Sequence, residues 1–274
     1  MKKNLEELKQ VANVIRKDII KMLTESGSGH PGGSLSATEI LATLYFNQMN
    51  IDPEKARNLD RDRFVLSKGH AAPVLYSALA RRGFFDVEEL KKLRKLGSIL
   101  QGHPNMNEVP GVDMSTGSLG QGISAAVGMA LAGKIDKKDY RVFALLGDGE
   151  LEEGQVWEAA MSAAHYKLNN LIAFIDYNGL QIDGPIQEVM SAEPIADKFR
   201  AFRWNVAEVD GHDIEQLINA IEAAKAEKEK PTVIVCKTVK GKGVSFMENE
   251  AGWHGNAPSS EQCKKALDEL GGEE

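Results

Sequence analysis

Apolar positions along the chain change period from one stretch to the next, and the changes outline an architecture. Leu5, Leu8, Ala12, Ile15, Ile19 and Met22 recur at steps of three and four, which predicts an amphipathic helix near the start. Ser36-Ala37-Thr38-Glu39 reads as a capping box ahead of Ile40, Leu41, Leu44 and Tyr45, a second helix. Small residues from Gly122 to Ala132 predict a helix packed closely on its neighbours. Near-continuous apolar runs at 141–146, 171–175, 204–209 and 232–237 read as strands. A helical pattern separates the first two of these runs, and another separates the last two. The earlier one carries Trp157, Met161, Ala164 and Leu168 on a single face, with Trp157 and Met161 expected in the core. The later one spans Ile214 to Ala226 behind a capping Asp213. Strands alternating with helices predict an α/β fold, a mainly parallel sheet with helices on both faces. At 274 residues, one large domain over 1–274 is expected, with the acidic stretch 268–274 as a frayed tail.

Composition narrows the function classes. A net charge of −7 argues against a nucleic-acid or anionic-membrane binder, which would need a basic face. Cys236 and Cys263 make neither a disulfide framework nor a cysteine zinc site. The first residues lack a signal-peptide core, and no apolar run approaches the roughly 20 residues that span a bilayer. A cytoplasmic setting is the expectation.

The chemistry gathers in glycine-rich loops. The run ending at Leu146 enters Gly147-Asp148-Gly149-Glu150, and the run ending at Ile175 enters Asp176-Tyr177-Asn178-Gly179. A right-handed crossover would make these strands parallel neighbours and bring Asp148 and Asn178 to one rim, where ligands of such sheets bind. A carboxylate and an amide oxygen are hard ligands suited to Mg²⁺ with phosphate oxygens. Free N–H groups of a helix opening near 150–153 would help to receive an anion. Of six histidines, His30, His70, His103, His212 and His254 lie in glycine-flanked loops. Imidazoles that titrate near neutrality suit proton shuttling. His212 reads as a turn residue ahead of a capped helix, and His165 as structural. No pair has the spacing of a zinc site.

Gly147-Asp148-Gly149 followed by Asn178 resembles the thiamine diphosphate motif. The match to transketolases is wider: Ser28 to Gly32, Ser67 to Ala71, Gly102-His103-Pro104, Thr116 to Gly122, Gly147 to Gly154, Asp176 to Asp183 and Lys237 to Gly255, in order, are similar to the diphosphate-binding domain of that family. The resemblance implies a thiamine-diphosphate-binding fold and the following roles. Asp148, Asn178 and the Leu180 carbonyl would ligate Mg²⁺ or Ca²⁺. Gly149, Glu150, His70 and His254 would lie at the diphosphate, Leu119 and Ile182 against the cofactor, and Gly117 at the aminopyrimidine. His103 would contact the donor ketose, while His30 and His254 would serve the reacting carbon. Glu153 and Glu158 resemble acidic residues that link paired active sites.

A full transketolase chain is more than twice this length, and no segment here resembles its pyrimidine-binding and C-terminal domains. The resemblance therefore implies the amino-terminal subunit of a split transketolase of the pentose phosphate pathway. It would be active only with a second polypeptide, as a hetero-oligomer with two copies of each subunit. The small-residue helix after Gly122 is the candidate docking face. The reaction would move a two-carbon ketol unit between sugar phosphates. The alternatives are a deoxyxylulose-phosphate-synthase-like subunit, disfavoured by the Lys68-Gly69-His70 and Gly102-His103-Pro104 loops, and a non-catalytic regulatory subunit of the same fold.

Overall fold

A computed structural model describes residues 2–56 and 58–272. Five parallel strands form the central sheet in the order β1-β2-β3-β7-β6: β1 (Arg63–Leu66), β2 (Val142–Gly147), β3 (Leu171–Tyr177), β6 (Asn205–Asp210) and β7 (Thr232–Lys237). A small antiparallel pair, β4 (Leu180–Gln181) and β5 (Gly184–Pro185), follows β3. The expected α/β fold, mainly parallel with helices on both faces, is the observed one.

Alternate residues of each strand serve different cores, because successive side chains point to opposite faces. Phe64, Phe143, Leu145, Ile172, Phe174 and Ile234 face one side, under α1 (Leu5–Ser26), α3 (Thr38–Thr43), α4 (Ala72–Arg82) and α9 (Ile214–Ala226). Val65, Ala144, Leu146, Ala173, Ile175 and Val233 face the other, under α5 (Gln121–Ile135), α6 (Gly154–His165) and α8 (Ile195–Ala201). Strands buried on both sides need no alternation, hence the continuous apolar runs. The remaining helices are α2 (Pro31–Ser36), α7 (Ile186–Val189) and α10 (Ser260–Glu269). No helix among the described residues is long and apolar enough to cross a membrane.

Several local expectations change. Ser36 caps nothing: it ends α2, and its hydroxyl donates to Asp176 at 2.6 Å, while Glu39 pairs with Arg16. In both cases a buried charge distant in sequence, Asp176 for Ser36 and Arg16 for Glu39, takes the side chain that a cap would use. Met161 is 58% exposed on α6, and that helix stops at His165, leaving Leu168 buried beyond its end. The chain from Gly149 to Glu152 is a 3₁₀ turn, so the α-helix expected to open near Glu150 begins at Gly154. Asp268 and Glu269, expected in a frayed tail, close α10. There Leu267 and Leu270 are buried, and Glu269 accepts hydrogen bonds from Ser245 at 2.7 Å. Residues 273–274 of that tail lie outside the described residues. Asp213 does cap α9, accepting from the backbone of Glu215 and Gln216.

Candidate functional site

The carboxyl ends of β1, β2, β3 and β7 open into one cleft. Register sets Gly147 of β2 beside Asp176 of β3, so the loops that follow emerge at one level. Asp148 accepts the N–H of Gly179 at 2.6 Å on one oxygen and its neighbour Gly149 at 2.9 Å on the other. The rim predicted from the two apolar runs is thus formed. Asn178 gives its amide N–H₂ to Asp176 at 3.2 Å, and its oxygen accepts Leu180 N–H at 3.1 Å. A cavity of about 240 Å³ lies between these loops, lined by Asp148, Gly149, Asn178, Leu180, His70 and His254 among others. A second cavity, of about 400 Å³ beside the start of β1, has its main charges already paired, Arg61 with Asp113 at 2.5 Å.

Beneath the cleft is a charge network that sequence reasoning passed over. Asp176 is fully buried and takes the Lys68 ammonium at 2.5 Å, the Ser36 hydroxyl at 2.6 Å and the Thr238 hydroxyl at 2.5 Å. Burial alone would push its carboxyl up, and Lys68 with the two hydroxyls more than offsets this, leaving it below the ordinary range. Lys68 also donates to the Gly33 carbonyl at 2.8 Å. The available signal was Asp176 itself, a carboxylate at the end of an otherwise apolar run. Asp148 has no such partner. Burial first and the Asp176 charge second push it up to about 6.

Lys240, likewise unassigned from sequence, reaches in from the loop after β7. Its ammonium donates to the Leu180 carbonyl and to His254 Nδ1, both at 2.9 Å. Burial and then Lys68 lower it to about 8. An acceptor at His254 Nδ1 places the imidazole hydrogen on Nε2.

Three histidines converge. His30, His70 and His254 have ring centroids 5.1–5.5 Å apart. His103 lies farther out, 6.5 Å from His30 and exposed, with Gly117 against its ring. Burial, then the Arg94 charge, lowers His30 to about 4; burial and Lys240 lower His254 to about 3. His70 falls well below its usual value through burial and Lys68, and His103 is lowered by burial and Arg94. The inner three are therefore neutral at pH 7. Leu119 and Ile182 both line the cavity, Ile182 64% exposed at its edge. Glu150 is turned inward: its carboxylate takes the Ser67 hydroxyl at 2.5 Å and the N–H groups of Gly120 and Gly147, bracing three loops. Glu153 and Glu158 face solvent. His212 and His165 stay outside the cleft. His165 is exposed and packs edge-on against Tyr166.

Could these residues hold a metal and a diphosphate? Among the described residues no group of three His, Cys, Asp or Glu is arranged for a metal ion, so a cation here would depend on amide and carbonyl oxygens. Asp148, Asn178 and the Leu180 carbonyl are such a set, all hard oxygens. An ammonium already sits on one of them, and the raised Asp148 carboxyl marks a place short of positive charge. A Cβ at Gly149 would lie 3.2 Å from that of Gln181, so only backbone is presented there. His30 Nδ1 is buried without a partner. The residues fit the group.

A family model described as the thiamine diphosphate binding domain of transketolase matches residues 7–274. The chain is 49% identical to the 6-deoxy-6-sulfo-D-fructose transketolase subunit of a Clostridium strain, over 96% of each chain. Identity to an apulose-4-phosphate transketolase subunit of Phocaeicola vulgatus is 44%, over 97% of this chain and 94% of that one. Human transketolase is 45% identical over 97% of this chain, which spans 42% of that protein. The solved transketolase of Campylobacter jejuni superposes with a TM-score of 0.93 at 35% identity, covering 99% of this chain and 44% of the other.

Proposed function

Because the chain belongs to the transketolase family through its thiamine diphosphate binding domain, we propose that it is the diphosphate-binding subunit of a split transketolase. The observation that carries this is the convergence of Asp148, Asn178 and the Leu180 carbonyl with His70 and His254 around one cavity at the strand ends. Asp148, Asn178 and Leu180 would hold Mg²⁺ or Ca²⁺. The Gly149 backbone, His70, His254 and Lys240 would receive the diphosphate, and Leu119 and Ile182 would flank the cofactor with Gly117 beyond. When bound, thiamine diphosphate supplies the carbanion chemistry that breaks and remakes a carbon–carbon bond.

The chain's own residues orient and protonate. His30 and His254, neutral at pH 7, can accept a proton from a hydroxyl or return one at the reacting carbon. The exposed His103 reaches a donor ketose from the mouth of the cleft. Two relatives are named as transketolase subunits for 6-deoxy-6-sulfo-D-fructose and for apulose-4-phosphate. We therefore read the substrate class as ketoses with an anionic terminus, a sugar phosphate of the pentose phosphate pathway or a sulfosugar. The partner would be a second polypeptide with the pyrimidine-binding and C-terminal domains, in a 2+2 assembly. Exposed Ile135 on α5 and Met161 and Tyr166 at α6 offer it apolar surface.

Calorimetric titration of the chain with thiamine diphosphate and Mg²⁺ tests the reading. Wild type should bind, and Asp148→Ala should lose metal-dependent binding while keeping its fold. Equal affinity in the two would sink the metal assignment. Ketol transfer by this chain alone, assayed with sugar phosphates, would overturn the split-enzyme reading.

A further inference from the structure

His212 sits in the turn after β6, outside the cleft, yet its ring is fixed on both nitrogens. Nε2 accepts the Val239 N–H at 2.9 Å, and Nδ1 lies 2.9 Å from Glu39 Oε2. An acceptor at Nε2 puts the hydrogen on Nδ1, which then donates to the carboxylate. Glu39, buried in α3, is also paired with Arg16 of α1 at 2.6 Å. Burial pushes its carboxyl up, but Arg16 and His212 prevail and hold it below the ordinary range, so it is charged. Arg16 in turn donates Nε–H to the Lys242 carbonyl at 3.0 Å.

These contacts bracket Lys240. The Val239 N–H is held by the imidazole and the Lys242 carbonyl by the guanidinium. Between them Gly241 takes φ 79° and donates to the Gly32 carbonyl at 3.0 Å. A Cβ at Gly241 would fall 2.2 Å from the Met247 carbonyl oxygen, so the turn has no slack on that side. The only long side chain sent inward from this turn to the rim is Lys240, which is 2% exposed. A buried lysine has four side-chain torsions to order. A backbone clamped on both sides of it removes that freedom at its root.

We propose that Glu39 and His212 are positioning residues for the diphosphate site, gripping the 239–242 turn from outside so that the Lys240 ammonium is aimed at the rim shared by Leu180 and His254. The inference rests on the functional reading above and adds a layer behind it, reaching from α1 and α3 through His212 to the cleft.

The test measures binding of magnesium pyrophosphate to the full chain by calorimetry, with amide hydrogen exchange over 239–242. His212→Asn keeps a donor for Glu39 but is too short for Val239. It should bind at least about tenfold more weakly, the scale of one misplaced charge-assisted contact, with faster exchange at Val239. His212→Gln, whose Oε1 can reach the place of Nε2, should recover most of the affinity. If His212 acts through Lys240, His212→Asn combined with Lys240→Met should bind no worse than Lys240→Met alone. Unchanged affinity in His212→Asn, or losses that multiply in the double variant, would overturn the proposal. Should wild type itself fail to bind pyrophosphate, the diphosphate reading is what falls. Exchange then decides the clamp: faster at Val239 in His212→Asn upholds it, and unchanged exchange removes it.

Discussion

Lys68→Met should be among the most damaging single changes in this protein, although it deletes only a charge. Lys68 is 1% exposed, and its ammonium lies 2.5 Å from the carboxylate of Asp176, a residue that is 0% exposed. Removing it strands Asp176 with the Ser36 and Thr238 hydroxyls and the Asn178 amide. Breaking a buried pair from one side costs about 3–5 kcal/mol, because the remaining charge keeps its desolvation penalty. Met fills most of the lysine volume, so a cavity contributes little. Urea unfolding at pH 7.5 measures the loss. Lys68→Met/Asp176→Asn should recover at least about 2 kcal/mol of the summed single losses, since the stranded carboxylate is gone. The pH dependence has a definite sign. In wild type, Asp176 is held below its ordinary range, so its contribution is present above the unfolded value of about 3.9 and is lost as pH falls through the lower folded value. In Lys68→Met, burial outweighs the remaining Ser36 and Thr238 hydrogen bonds and raises it, and stability is lost as pH rises. The gap between the two proteins should therefore widen from pH 4 to pH 8. A cost below about 1 kcal/mol, or single losses that simply add, would refute this account of the network.

Two further outcomes follow from the histidines. His30 and His254, lowered to about 4 and about 3, should show no NMR titration of their Cε1–H signals between pH 8 and pH 5.5. Because their folded values lie below the unfolded value of about 6.5, they remove stability as pH falls beneath that value, and none above it. A midpoint near 6.5 for either would mean an open, solvated cleft. In the reconstituted enzyme, His103→Ala should raise the donor KM or lower kcat at least about tenfold with little change in cofactor affinity. His70→Ala, which lines the cavity, should do the reverse. Matching steady-state profiles for the two variants would contradict that division.

The chain announced its sheet better than its site. Strands at 142–147, 171–177 and 232–237 were legible because parallel strands buried on both faces are apolar throughout, and two of them delivered Asp148 and Asn178 to the rim as expected. β1 escaped notice because it has only four residues, and α4 because nearly every residue of it is buried, which erases the helical period. What sequence could not show was pairing at long range. Lys68 and Asp176 are 108 positions apart, and His212 and Glu39 173 apart. Asp176 stands out locally, as a carboxylate closing an apolar run, but nothing local marks which residue pairs with it or with Glu39. Ser36 and Glu39 imitated a capping box for the same reason: residue types that suit a cap also suit a buried network, and only the fold decides between them. Met161 failed differently: α6 buries Val156, Ala159, Ala160 and Ala163 and packs Trp157 and Ala164 at the edge of the core, which leaves Met161 in solvent.

The ends of the strand order bear on how another polypeptide could join this one. An open sheet offers two rows of unpaired peptide groups, and each is blunted here. On β1 the outward N–H of Phe64 is taken by the Asp113 carboxylate at 2.8 Å, in a strand too short to template a neighbour. On β6, Glu208 and Asp210 are exposed, and a chain laid alongside would have to meet their charge. Extension of the sheet from one molecule to the next, the route by which exposed edges build fibrils, is thereby discouraged. Any lasting association is left to side chains on helices and loops, where recognition can be selective, and a lone copy has little tendency to polymerise through its backbone.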